Sequence, residues 1–262
     1  MNTIEKDSMN KQKLLSVNAD PKTTKGNKYN YSTAILYLAS AKQSGYNVCP
    51  QSSPQCENDC LFWSGRGRMK NTQNARIKKT RYYIENRIDF MIQLIHEIDL
   101  FIKRSKKNNV IPTIRLNGTS DIAFENFKYP NGLNIMENFP QVQFYDYTVT
   151  FKRMKKFMND QMPKNYHLTY SRKENNQKEV LKVLENNFNV SVVYENKLPN
   201  TFCGFKVING DDTDLRFLDN HKFYNDLKYP ECYSGGLVVG LKYKKSKAQK
   251  IDDSNNFIIQ TL

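Results

Sequence analysis

From Val110 onward, short apolar strings alternate with amphipathic stretches, and this alternation restricts the fold more than any other feature of the chain. The strings 110–114, 142–147, 167–170, 190–194, 205–208 and 237–241 have strand length. The stretches 151–160 and 178–187 carry helical periodicity. Strands joined by helix-sized connections imply a parallel sheet, because a parallel crossover needs a dozen or more residues. The expected class is α/β, as a complete or partial (β/α) barrel, with an open doubly wound sheet as the alternative.

Upstream of this region the texture differs. Ile84, Ile88, Met91, Ile92, Ile95, Ile98 and Ile102 recur every three or four residues, which predicts one long helix over 71–107 with a single buried face. Residues 46–70 hold Pro50, Pro54, Gly65, Gly67 and three cysteines, and read as an irregular loop before that helix. Residues 31–44 suit either a short helix or an extended segment. Residues 1–30 are polar, and read as a flexible lead-in to a single α/β domain over 31–262.

In parallel α/β folds the site lies outside the carboxyl ends of the strands. Arg115, Asn117, Ser120, Asp121, Asp146, Thr148 and Ser171 stand at such ends. Asp211, Asp214 and Arg216 would join them if the Asn209-Gly210 turn follows a strand. Taken singly, Asp, Ser and Asn more often cap helices and turns than bind ligands. Of the set, Arg115, Asn117, Asp121, Asp146 and Ser171 are the candidates to bind a cofactor or substrate.

The strongest chemical signal is a cysteine trio. Cys49, Cys56 and Cys60 fall within twelve residues, in a loop stiffened by two prolines. Short loop spacings let three sulfurs curl around one centre at small closure entropy. Soft thiolates select zinc, Cu(I) or iron–sulfur clusters. Structural zinc takes four ligands, usually as two close pairs. A trio with no local fourth ligand favours an iron–sulfur cluster with an open or remote fourth position. Phe62-Trp63 could shield such a cluster, and Arg66 and Arg68 could offset its charge. Cys203 and Cys232 are distant in sequence, and each reads first as an ordinary thiol.

The charge of +14 comes from 30 Lys and 10 Arg against 26 acids, spread over several elements. It permits nucleic-acid binding without requiring it. No run approaches 18 apolar residues, so no membrane-spanning helix is expected. The amino-terminal residues place no apolar run behind their charges, which predicts a protein of the reducing cytoplasm.

Several strings occur in order: Asn-Val-Cys-Pro at 47–50, Cys-Glu-Asn-Asp-Cys-Leu at 56–61, Ser-Gly-Arg-Gly at 64–67 and Arg-Leu-Asn-Gly-Thr-Ser-Asp-Ile at 115–122. They continue with Phe-Tyr-Asp-Tyr-Thr at 144–148, Asn-Tyr-His-Leu-Thr-Tyr-Ser at 165–171 and Asn-Gly-Asp-Asp-Thr-Asp-Leu-Arg-Phe-Leu-Asp at 209–219. Over about residues 45–245 the chain thereby resembles the bacteriophage "gene product 88" proteins, and more distantly the radical S-adenosylmethionine (SAM) proteins. The resemblance implies a radical-SAM-like barrel with a cluster, [4Fe–4S] or else [3Fe–4S], held at its mouth by Cys49, Cys56 and Cys60. SAM or a small-molecule substrate would bind an open iron. The spacing Cys-x6-Cys-x3-Cys departs from the Cys-x3-Cys-x2-Cys of radical-SAM proteins, and no Gly-Gly-Glu-like string follows it. Two alternatives stand beside this reading: an electron-transfer or redox-sensing protein with a redox partner, and a nucleic-acid-binding protein with a structural metal. A hydrolase built on Asp211, Asp212 and Asp214 is the least supported.

Overall fold

The computed structural model describes residues 12–18, 21–219, 235–244 and 256–260. Among these residues the centre is one ten-stranded sheet. The sheet begins at β1 (Leu15–Val17), antiparallel to β2 (Tyr31–Leu36). Then β3 (Ile111–Arg115), β4 (Gln143–Thr148), β5 (Tyr166–Ser171) and β6 (Val190–Tyr194) follow side by side, each parallel to the one before. A hairpin, β7 (Thr201–Phe202) with β8 (Phe205–Asn209), forms the far edge. The chain then returns as β9 (Val238–Lys242) between β6 and β8, parallel to both. A short β10 (Ile258–Ile259) also pairs with β6.

All six strings expected to be strands are strands, and 31–36 is extended rather than helical. The stretch expected as a lead-in supplies β1 and the short helix α1 (Pro21–Lys25). A complete barrel is not formed: the strand order runs from β1 to β7, and the sheet does not close. Nor is the sheet doubly wound over its first half, since β2 to β6 lie in chain order. Right-handed crossovers between successive neighbours put their connections on one face of the sheet.

The remaining helices are α2 (Pro54–Asn58), α3 (Lys70–Glu85), α4 (Arg87–Lys107), α5 (Ile135–Asn138), α6 (Phe151–Met158) and α7 (Gln177–Glu185). The predicted single helix over 71–107 is therefore two. Asn86, at φ −133° and ψ 55°, breaks it between α3 and α4. The break also changes which face is buried. Phe90, Met91, Leu94, Ile98 and Phe101 face the core, whereas Ile88 and Ile92 are exposed. The isoleucine spacing misled because the turn at Asn86 resets the helical register that carried it.

That core joins Leu36, Ile114, Phe144, Leu168 and Val192 of the sheet to Leu94 of α4, Met154 of α6 and Val183 of α7. Each such side chain contributes about 1.5–3 kcal/mol through burial. The sheet's other face is polar and is covered by the chain around residues 213–219. Phe217 stacks edge-on against Tyr31 and Tyr145, and Arg115 pairs with Asp214 at 2.6 Å.

Candidate metal centre at the carboxyl ends of the strands

The cysteine loop lies across the carboxyl ends of the parallel strands. Three contacts tie it there. The Asp121 N–H after β3 donates to Val48 O at 2.9 Å. Ser53 Oγ donates to Glu174, in the loop after β5, at 2.5 Å. Tyr243 OH, just past β9, donates to Asp59 at 2.6 Å. The loop thus bridges three strand ends, the position where parallel α/β proteins place their sites.

Local chemistry fixes each cysteine. The Cys49 N–H donates to Asn47 Oδ1 at 2.9 Å, and its sulfur lies 3.8 Å from Thr119 O. Cys56 is in the first turn of α2, started by Pro54 at the first helical position and capped by Ser53. Cys60 caps the next turn, its sulfur accepting from the Phe62 N–H at 3.5 Å. The chain then doubles back so tightly at Gly67 that a Cβ there would lie 2.5 Å from Phe62 O. Only glycine allows this close approach.

Burial is the main cause that raises all three thiols. Cys49 and Cys56 are each pushed up to about 12, and Cys60 is also raised. Each also feels its neighbours: a charge on Cys60 raises both others, and a charge on Cys49 raises Cys56. The three thiols therefore lie close enough for a charge on one to be felt by another. They are protonated at neutral pH, so a metal must displace their protons on binding.

Among the described residues, no group of three His, Cys, Asp or Glu side chains is spaced to hold a metal ion. A single zinc needs its sulfurs within two bonds of about 2.3 Å each. A multi-iron cluster places several atoms between its ligand sulfurs and accepts a wider set.

A cation stands beside the trio. Arg76 of α3 is buried, its charge favours the Cys60 thiolate, and its Nη1 has no hydrogen-bond partner among the described residues. Its guanidinium lies 4.7 Å from the Tyr37 ring centre and 5.7 Å from that of Phe62. Arg66 and Arg68, expected in this role, are exposed. Phe62 is buried as expected of a shield, and Trp63 packs edge-on against it. Sequence reading missed Arg76 because it sits on a helix whose polar pattern gives no sign of which charge is buried.

The structure separates the other candidates. Asn117, Asp121 and Asp146 belong to one hydrogen-bonded network that shapes the loop after β3. Asp146 accepts from the Asn117 N–H at 2.9 Å and from Tyr166 OH at 3.0 Å, and burial still pushes its carboxyl up to about 6. Asn117 Oδ1 accepts from Ser120 and from the Ile122 N–H. Asp121 accepts from Thr148 and Thr150 hydroxyls and from Arg153. These partners give the three residues structural roles.

Arg115 and Ser171 lie instead on the polar face. Ser191 Oγ donates to Ser171 Oγ at 3.0 Å, and Arg115 sits over the rings of Tyr145 and Tyr147. Tyr145 and Tyr147 are in register with His167 and Thr169. Arg115 Nε, Tyr147 OH, His167 Nε2 and Thr169 Oγ1 are buried without hydrogen-bond partners among the described residues. Burial, helped by Arg216, pulls His167 down to about 4, so its ring is neutral. Buried polar atoms normally find protein, water or ligand partners. Tyr147 and Thr169 were not singled out from sequence, although polar residues at alternate positions in otherwise apolar strands are the sign of such a face.

Three further expectations resolve differently. Asp211, Asp212 and Asp214 diverge, to the Lys242 N–H, Asn209 and Arg115 respectively. Cys203 is exposed in the β7–β8 turn at φ 49°, with Gln177 Nε2 at 3.4 Å from its sulfur. Cys232 lies outside the described residues. No described helix is long and apolar enough to cross a membrane.

The family model described as Gene product 88 matches residues 9–252. No curated protein and no solved structure matches the chain.

Proposed function

The chain belongs to the gene product 88 family, and we propose that it is an iron–sulfur protein, its cluster held by Cys49, Cys56 and Cys60 at the mouth of a partial, radical-SAM-like barrel. The observation that carries this reading is the buried Arg76 beside Cys60, one of three half-buried thiols in the same loop. A lone buried cation is costly, and a cluster bound by three thiolates supplies the negative charge that offsets it. Four polar atoms on the sheet's covered face have no hydrogen-bond partner among the described residues, which supports the cofactor or substrate side of the proposal. When bound, a [4Fe–4S] or [3Fe–4S] cluster would supply one-electron chemistry, and an iron without a cysteine ligand would hold SAM or a small substrate.

This chain's own residues contribute position and environment. Phe62 gives Cys60 a buried apolar neighbour, and Arg76 holds positive charge beside the same thiol. Arg115 and the hydroxyls of Tyr147, Thr169 and Ser171 offer hydrogen bonds to a bound molecule, and neutral His167 can accept or donate one. Asn117, Asp121 and Asp146 hold the loop against which Cys49 rests. If the protein is phage-encoded, it acts in the host cytoplasm.

Electron paramagnetic resonance of the anaerobically reconstituted, reduced protein separates this from its rivals. Added SAM should alter the spectrum of an open iron. A spectrum unchanged by SAM would assign the protein to electron transfer or redox sensing.

A further inference from the structure

Beside the cysteine loop lies a cleft of about 400 Å³ that the cluster reading does not use. Asn47 and Pro50 form one rim, so the cleft adjoins Cys49. Its floor is apolar: buried Tyr83, with Ile84, Ile122 and Ala123. Its volume falls within the range that takes small organic ligands.

The walls are cationic. Four basic groups, Arg87, Lys152, Arg153 and Lys156, line it against two carboxylates, Asp121 and Glu125. Both carboxylates are already engaged by Arg153, whose Nε and Nη2 reach Glu125 at 2.8 and 3.0 Å. Arg87, Lys152 and Lys156 form no ion pair among the described residues. Lys152 and Lys156 are four apart on α6 and so share one face. Arg87 projects from α4, its guanidinium 4.9 Å from the centre of the Tyr83 ring. Three unneutralised cations around one mouth suit an anion of charge −2 or more, which a single carboxylate does not supply. The apolar floor suits a flat, weakly polar group attached to that anion.

We propose that this cleft binds a phosphate ester carrying a flat apolar group, as in a nucleotide, with Arg87, Lys152 and Lys156 on the phosphate and Tyr83, Ile84 and Ile122 under the flat group. The same chemistry is offered by a free nucleotide and by the phosphorylated end of a nucleic-acid strand. The proposal does not depend on the cluster.

Isothermal titration of the full-length protein with ADP tests it, with adenosine and inorganic pyrophosphate as the partial ligands. A short single-stranded oligonucleotide, with and without a 5′-phosphate, distinguishes the second source. ADP or the phosphorylated strand should bind, adenosine should not, and pyrophosphate should compete. The double variant Lys152→Ala/Lys156→Ala should weaken binding at least tenfold with an unchanged melting temperature, and Arg87→Ala should weaken it too. Failure of both ADP and the phosphorylated strand to bind at millimolar concentration, or equal binding by the double variant, overturns the assignment.

Discussion

Arg153→Met is expected to lower stability by about 3–5 kcal/mol, the range for removing one partner from a buried ionic network. Arg153 is buried on α6 and reaches Glu125, Asp121 and Tyr166 OH, the last at 2.7 Å. Asp121 in turn gathers Thr148, Thr150 and the Val149 N–H, so one guanidinium ties the loop after β3 to the start of α6. Methionine fills similar volume but leaves two carboxylates buried and unneutralised. Lys would keep the charge yet lose the fork that serves two carboxylates at once, and should recover only part of the loss. Urea denaturation of the protein measures this. A loss below about 1 kcal/mol, the value of an exposed pair, would show that the network is not buried as described.

The second large effect has opposite signs in two measurements. Arg76→Met should stabilise the metal-free protein by about 1–3 kcal/mol, because it removes a buried guanidinium whose Nη1 has no hydrogen-bond partner among the described residues. The same change should cut the iron retained after anaerobic reconstitution by at least half, because Cys60 and the cluster lose their compensating charge. Few structural residues behave this way. A residue kept for the fold should lower both stability and iron content when replaced. A residue whose cost to the fold serves a bound anionic group should separate them. Equal iron content in Arg76→Met and the parent would remove the main support for a negatively charged occupant of the thiol pocket.

Sequence reading found the strands because each is a compact apolar run bounded by polar turns. It could not choose between helix and strand for Tyr31–Leu36, since YSTAIL fits either period and only pairing with β1 and β3 decides. It joined α3 to α4 because isoleucines kept helical spacing across Asn86, a residue whose backbone angles no pattern reveals. At the candidate site, cysteine spacing placed three thiols in one short loop, where their charges interact. The strand-end rule placed the candidates at the carboxyl ends of the strands but did not sort them. Asp121 and Asp146 are polar for the sake of buried partners up to 32 residues distant, such as Arg153, while Arg115 and Ser171 face the covered side. That division depends on the direction of each side chain, and one residue of strand register reverses it.

The most direct test of the central claim is iron and acid-labile sulfide analysis of the wild-type protein, purified or reconstituted without oxygen, beside its Cys60→Ala variant. The account predicts a brown wild-type protein with three to four irons and matching sulfide per chain, as roughly expected for a thiolate-bound cluster, and a colourless variant. A wild-type protein that stays colourless, or that carries only zinc, would contradict it.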